Sequence, residues 1–395
     1  MKLCSKSIVI ILLVCCLITP SLSSSASNST STIKVTVANL KDADSMFVEC
    51  NKEYMIIDTG RAADSDAVIN MFSEKLKAKT VKGVYTKGKV KALVITHYDF
   101  DHVGGISKIL QYFTENQITL SNIYSRMYTK KQLIYLKKCG EGYVNKEGEE
   151  VKAVTYKNYI KFLNAVQTYL MSTNKKVKKS TLKISNDTPV AEVLKVQKSI
   201  FEVKNIDLKK QDKNAEYFYV KKINWKQPSS GNNAFKLGNA KVQWLNRAKS
   251  YLNSKDSKNL TTQVNKDSLI CKVHNNNPDI SKRKSILFLG DIGKQTLEDQ
   301  FKIEEIKKLA ESTVVKISHH GFKSNNSQKL MNLINPKFAI VTTNKKAFAG
   351  NVYEVKNKRL ASIYYFNSKK NKNPKITIPY YGNIYENDFV TYSNR

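Results

Sequence analysis

The run His97-Tyr98-Asp99-Phe100-Asp101-His102 follows an apolar segment, Lys91 to Thr96, and leads into Val103-Gly104-Gly105. A short apolar segment of this kind reads as a strand buried in a sheet. Four imidazole and carboxylate groups directly at its end constrain the fold, because hard and borderline metals want such groups to converge on one point. The strand must therefore end at a sheet edge where a loop can turn the groups inward. In a strand-end loop alternate residues point the same way, which puts His97, Asp99 and Asp101 on one side. His102 then turns in as the chain enters a helix expected over Ile106 to Phe113. The two glycines allow that turn without a side-chain clash.

Three other strand ends carry similar residues. The chain has five histidines, His97, His102, His274, His319 and His320. Four of them fall into two tight clusters, each at the end of an apolar run, the second run being Val314 to Ser318. The run Ser285 to Leu289 ends in Gly290-Asp291, and Met55 to Ile57 ends in Asp58-Thr59-Gly60. Ligand-type residues at several strand ends along one sheet edge are how a metal site is assembled. His274 stands alone and reads as an ordinary strand-end residue.

The remaining pattern supports two sheets. Strand-like runs are expected at Ile33 to Val37, Ser45 to Val48, Lys241 to Leu245, Ser268 to Val273 and Phe338 to Thr342. Helices are expected over Ala63 to Leu76, around Thr296 to Leu309 and near Gln328 to Ile334, with apolar residues at helical spacing. Strands with a few helices, then the same again, suit an α/β chain with two sheets sandwiched between helices, an αββα architecture. Residues 124–227, rich in Lys and Tyr, read as a mixed insertion on the same domain.

The N-terminus reads as a processing signal. Lys2 and Lys6 are basic, Ile8 to Ile18 is apolar, and Pro20 and the following serines lead to a cleavage position after Ala26. The apolar run is short for a membrane span of about 20 residues. The expectation is a cleaved signal over 1–26, a linker over 27–32, one domain over 33–395 and a secreted product; an uncleaved anchor is the second reading. Three of the six cysteines leave with the signal, so Cys50, Cys139 and Cys271 can form at most one disulfide. Cys50 and Cys271 read as buried thiols. With 66 basic and 33 acidic residues the formal net charge is +33. Such an excess favours polyanionic partners, either nucleic acid or an anionic envelope polymer, together with contact at an acidic membrane surface. No protein partner is expected.

The run Thr96 to Gly105 resembles the signature of the metallo-β-lactamase fold superfamily. It is most similar to the version in the ComEC-type competence proteins, where an acidic residue replaces the second histidine. Leu287-Phe288-Leu289-Gly290-Asp291 resembles that family's strand carrying a bridging aspartate, and Val314 to Ser324 its late histidine motif. Ile56-Ile57-Asp58-Thr59-Gly60 resembles the early strand whose aspartate supports the site from behind, and Asn265, Asp267 and Ser268-Leu269-Ile270 fall at an Asn-x-x-Ser-Leu-type strand. Secreted phosphorylcholine esterases share the exported domain plan. The family's Gly-Gln-Gly-Asp loop is replaced by Leu40 to Asp44, and no histidine follows Thr343.

The resemblance implies one or two divalent ions, zinc first and manganese second. The metal ligands would come from His97, Asp99, Asp101, His102, Asp291 and His319 or His320, with Asp58 orienting a ligand histidine. Asp101 and His320 are the expected catalytic groups, working with a metal-activated hydroxide. The implied activity is hydrolysis of phosphodiester bonds in nucleic acid or a phosphate-bearing envelope polymer. A phosphorylcholine or other ester or amide on the same fold is the alternative, and a non-catalytic binding protein with a degenerate metal site is a third reading.

Overall fold

The computed structural model describes residues 31–393 except 41, 78, 82–83, 87, 145–149, 152–153, 174–182, 202–223, 228, 231–233, 247–251, 253–259, 344–359, 361, 367–371 and 381–382. The expected signal over 1–26 and most of the linker lie outside the described residues.

Two eight-stranded sheets face one another. The first runs, in spatial order, Asn224–Lys226, Asn122–Tyr124, Ala92–Val94, Glu53–Ile57, Met46–Cys50, Ile33–Val37, Lys375–Ile378 and Tyr385–Asn387. The second runs Phe235–Leu237, Ala240–Trp244, Cys271–His274, Ser285–Phe288, Val314–Lys316, Phe338–Val341, Ser362–Phe366 and Phe389–Ser393. Strand side chains alternate between faces, so each sheet sends one set inward. Val35, Val48, Met55, Ile57, Val94, Trp244, Val273, Ile286, Phe288 and Val314 belong to one buried cluster between the sheets.

The opposite faces are covered by helices. Ile56, Leu93 and Ile123 pack with Val68 and Phe72 of the helix Ser65–Leu76 and with Ile109, Leu110 and Phe113 of Ile106–Glu115. Leu287, Val315 and Ala339 of the second sheet pack with Leu297, Ile306, Leu330 and Met331 from the helices Lys294–Gln300, Glu304–Ala310 and Gln328–Ile334. The layers are helix, sheet, sheet, helix, the αββα sandwich expected from the strand and helix order. Where one helix is expected around Thr296 to Leu309, the chain forms two, because Phe301 turns out of the first and Ile303 adopts an extended conformation (φ −72°, ψ 115°) before the second.

Two runs of parallel strands matter for the site. Glu53–Ile57, Ala92–Val94, Asn122–Tyr124 and Asn224–Lys226 are parallel in one sheet. Ser285–Phe288, Val314–Lys316, Phe338–Val341 and Ser362–Phe366 are parallel in the other. Parallel strands all end at the same edge, and open α/β sheets hold their ligands at that edge.

The Lys/Tyr-rich stretch contributes to the first helix layer. Its helices Lys130–Glu141, Thr155–Thr173 and Val190–Phe201 bury Leu136, Tyr159, Phe162, Val166 and Val193 in the same cluster as Phe113 and Ile109. Cys50, Cys139 and Cys271 are buried thiols, so no disulfide links the described residues, and the two cysteines expected as buried thiols are so.

Candidate metal centre

The carboxyl ends of the parallel strands bring together residues that are far apart in the chain. Asp101, His102, Asp291 and His320 present ligand atoms all within 4.8 Å of one another. Asp291 is their hub. Its Oδ2 stands 3.2 Å from His102 Nε2, 3.7 Å from His320 Nε2 and 3.7 Å from His319 Nε2. Asp101 Oδ2 lies 3.3 Å from His320 Nε2 and 3.7 Å from His102 Nε2.

Each strand end turns sharply to make this convergence. Asp58, Gly60, Gly290, His319, His320 and Gly321 all have positive φ. For side chains other than Gly and Asn this conformation costs of order 1–3 kcal/mol per residue, and such strain persists only where the surroundings fix it. At Gly290 (φ +54°) an added Cβ would lie 2.8 Å from Ser268 Cβ. The glycine thus lets the strand end pass against Ser268, whose Oγ accepts from Asp291 N at 3.1 Å. Asp291 is held by its backbone as well as by its neighbours.

Each of the two buried imidazoles in the cluster is gripped from behind by a carboxylate. Asp58, fully buried, accepts from Thr96 N and Thr96 Oγ1, both at 2.7 Å. Its Oδ2 stands 2.8 Å from His102 Nδ1. That contact places a proton on Nδ1 and leaves Nε2 as the donor atom facing Asp291, the usual arrangement behind a metal-binding histidine. His320 repeats it: Nδ1 is 3.3 Å from Asp44 Oδ1 and 3.1 Å from Thr342 Oγ1, with Nε2 facing Asp101 and Asp291. Asp44, also fully buried, pairs in turn with the ammonium of buried Lys316, which lies 3.8 Å from Asp291 Oδ1 and donates to Gly290 O at 3.3 Å.

His97, Asp99 and His319 flank this group. His97 Nε2 is 3.6 Å from Asp99 Oδ2, and its ring centroid is 4.1 Å from that of His102. The His319 ring lies tilted beside Phe322, centroids 5.0 Å apart, and its side chain is 29% exposed against 3% for His320. Of the adjacent pair, His320 takes the interior position and His319 the rim. All of the residues expected at the site, Asp58, His97, Asp99, Asp101, His102, Asp291, His319 and His320, thus lie at one edge. His274 sits at the opposite end of its strand, paired with Ser285 and bonded through Nδ1 to Asn275 O at 2.7 Å.

The electrostatics describe a pocket suited to a cation. Burial opposes ionisation of Asp291, yet His102, His320 and His319 hold it well below the usual carboxylate range. Asp101 is lowered too, with His102 and His320 outweighing burial. Burial alone would lower the imidazoles, but Asp291, Asp101 and Asp58 raise His102 well above its ordinary value, and Asp44 and Asp291 push His320 up to about 9. Protons therefore sit where a metal would otherwise supply positive charge. His97 Nε2, His102 Nε2 and Asp291 Oδ1 are buried without a hydrogen-bond partner, and buried polar atoms of this kind call for an explanation such as an ion. Imidazole nitrogens and carboxylate oxygens are the donor set of zinc and related divalent ions. The residues fit a metal.

Several supporting groups escape a reading of the sequence. Asp44 lies in a loop tied to the motif by Asp44 N to Asp101 O at 3.1 Å and Gly60 N to Asp44 O at 3.0 Å. Lys316 had a visible signal, a lone charge inside the apolar run Val314 to Ile317. The helix Thr155–Thr173 buttresses the motif loop. Asn158 Nδ2 donates to Tyr98 O at 2.9 Å, Lys161 Nζ to Gly104 O at 2.8 Å and Thr155 Oγ1 to Asp99 Oδ1 at 3.4 Å. Tyr98, packed against Tyr128, Tyr159 and Phe162, donates to Arg126 O at 2.5 Å. No sequence pattern announces that a helix 50 residues downstream holds the loop.

Residues 39–130 match the sequence model described as the Metallo-beta-lactamase superfamily. No curated protein sequence matches the chain. Among solved structures, the metallo-beta-lactamase fold protein YhfI from Bacillus subtilis is similar at 9% identity and a TM-score of 0.35, over 78% of this chain and 85% of that one. Rm3 metallo-beta-lactamase is similar at 10% identity and a TM-score of 0.31, over 71% and 74%. MEM-A1, a subclass B3 metallo-beta-lactamase from a soil metagenome library, is similar at 11% identity and a TM-score of 0.31, over 72% and 76%. Likenesses this slight say nothing of the chain's chemistry.

Proposed function

From a metallo-β-lactamase fold whose signature lies within the matched segment 39–130, we infer a metal-dependent hydrolase. The observation that carries this reading is the convergence of Asp101, His102, Asp291 and His320 on one point at the carboxyl ends of parallel strands. Asp101, His102, Asp291 and His320 would hold one divalent ion. His97 and Asp99, 3.6 Å apart beside the His102 ring, would serve a second. A divalent ion bound there supplies Lewis acidity toward water and toward the oxygen of a scissile bond.

The protein's own groups do the rest. Asp101, 16% exposed, faces solvent more than any other member of the four-residue cluster, and its oxygen is placed to accept a proton from an attacking water. Burial lowers His319 despite Asp291, so at neutral pH it is a neutral imidazole at the rim, placed to hydrogen-bond a substrate or leaving oxygen. Asp58 and Asp44 keep the rings of His102 and His320 from rotating.

The preferred substrate is a phosphodiester in nucleic acid or an anionic envelope polymer, and the preferred location is outside the cell after removal of residues 1–26. The net charge of +33 supports the first, and the basic, apolar and small-residue order of the N-terminus supports the second. The test is incubation of the chain with linear DNA, a phosphate-bearing polymer and a chromogenic phosphocholine ester, each with added zinc or manganese and with chelator. Metal-dependent cleavage of either polymer is expected. Cleavage of the phosphocholine ester alone would replace the substrate class, and no metal-dependent hydrolysis of any of the three would overturn the enzyme reading.

A further inference from the structure

The second sheet carries a polar cavity at the end of its strands remote from the metal centre. On Ala240–Trp244 and Cys271–His274 the inward positions Ala240, Val242, Trp244, Cys271 and Val273 join the core between the sheets. The alternate positions Gln243, Lys272 and His274 therefore face outward, where a helix-covered sheet would ordinarily present apolar side chains. The neighbouring strand does so: Leu287, paired in register with Lys272, lies in the apolar helix-facing cluster. The helices stop short of this edge. A cavity of about 350 Å³ remains, lined among others by Lys272, His274, Arg283, Ser285, Lys308 and Glu311. Its size falls in the range of small-molecule sites, about 300–1,000 Å³. From Ser285, on its wall, to Asp291 is six residues of mostly extended chain, about 20 Å at 3.3 Å per residue.

The lining has unspent donors. Lys272 Nζ gives two hydrogen bonds to protein, to Leu309 O at 2.9 Å and Glu311 O at 2.5 Å, and an ammonium has three N–H groups. Among the described residues Arg283 spends only Nε, on Asn277 O at 2.7 Å, which leaves the fork of its two terminal nitrogens. His274 is buried and uses Nδ1 on Asn275 O, so Nε2 of the neutral ring is an acceptor toward the cavity. Three cations line the space against one carboxylate, Glu311. Burial and the nearby Arg283 push Lys272 down to about 8, with Glu311 opposing, and an anion in the cavity would relieve that. We propose that this cavity is a second binding site, for the phosphate group of a small soluble phosphate monoester, held by Lys272, Arg283 and Lys308 with a ligand hydroxyl donating to His274 Nε2.

The plain alternative is that Lys272 only caps the carbonyls at the end of the helix Glu304–Ala310. Arg283 separates the two readings, since it is exposed and its one side-chain hydrogen bond among the described residues goes to Asn277 O. The experiment is calorimetric titration of the full chain in chelator with glycerol 2-phosphate. The parent is set beside Arg283→Ser, Lys272→Met and the metal-centre variant His102→Ala, with circular dichroism to verify the fold. Saturable binding is expected, weakened at least tenfold by Arg283→Ser and unchanged in His102→Ala. Binding that His102→Ala abolishes, binding indifferent to Arg283→Ser, binding to phosphatidic acid vesicles but not to the soluble ester, or no binding at all would each overturn the proposal.

Discussion

Replacing Lys316 by methionine removes an ammonium buried between Asp44 and Asp291 while keeping the length of the side chain. At 3.8 Å from Asp291 Oδ1, and at an effective dielectric of about 20, the attraction is about 4 kcal/mol, and the Asp44 contact is closer still. Desolvation of the ammonium offsets much of this, so the net worth of the pair is far smaller than the attraction. The substitution does something different: it strands two buried carboxylates with no ammonium beside them. Breaking one side of a buried pair costs about 3–5 kcal/mol, a large part of a total stability of about 5–15 kcal/mol. Urea unfolding of the metal-free chain in chelator measures the loss, for the parent, Lys316→Met, Asp44→Asn and the double variant. The double variant, which removes both charges, is expected to be more stable than the sum of the single losses implies, by about 2 kcal/mol. A Lys316→Met protein within about 1 kcal/mol of the parent, or a cycle additive within about 0.5 kcal/mol, would show that the pair does not organise the pocket.

Two further outcomes follow from the groups behind the imidazoles. Asp58→Asn keeps an acceptor for Thr96 N but loses the charge beside His102 Nδ1; zinc affinity by chelator competition is expected to fall about 10–100-fold, and an unchanged affinity would remove Asp58 from the site. His320 is raised from 6.5 to about 9 in the folded chain, so its contribution to the metal-free protein is complete below about 6.5 and is lost as pH rises through about 9; His102 shifts in the same direction. Metal uptake displaces these protons, so melting temperatures between pH 6 and 9 should fall with pH in chelator and rise with pH in zinc, and parallel curves would contradict the assignment.

The residues that touch the proposed ion were legible in the sequence because their chemistry is rare and their positions are punctuated. Five histidines in 395 residues, four of them in two clusters at the ends of apolar runs, leave little room for another arrangement. Of the residues behind them, Asp58 was legible from the motif that ends its strand, whereas Asp44 was not and Lys316 showed only as a lone charge in an apolar run. Aspartates and lysines are plentiful in this chain, and whether one of them is buried depends on what packs over it. Asp44 became a partner of His320 only because the strand Val314–Lys316 sends Lys316 into the same interior. Most strands up to Phe338 were readable from short apolar runs, but Asn122–Tyr124 and Asn224–Lys226 of the first sheet were not. The final strands Ser362–Phe366, Lys375–Ile378 and Phe389–Ser393 were not, since Ile33–Val37 and Phe338–Val341 recruit them across long stretches of chain.

Charge acts on two scales in this protein, and they pull in opposite directions. The chain as a whole is strongly basic, and such a charge favours approach of anions over distances set by the Debye length, about 8–10 Å at ordinary salt. The proposed centre is the reverse: Asp44, Asp58, Asp99, Asp101 and Asp291 crowd one strand edge, with Lys316 among them. A phosphate drawn to the surface would meet carboxylates at Asp101 and Asp291, and surface lysines cannot screen that last approach. Protonated His102 and His320 offset the repulsion in the metal-free chain, but they do so by occupying the ring nitrogens through which the site would bind an ion. On the proposed reading, one divalent ion resolves both conflicts. Held by Asp101, His102, Asp291 and His320, it would take the place of those protons and offset the carboxylates, so that a phosphodiester could settle there.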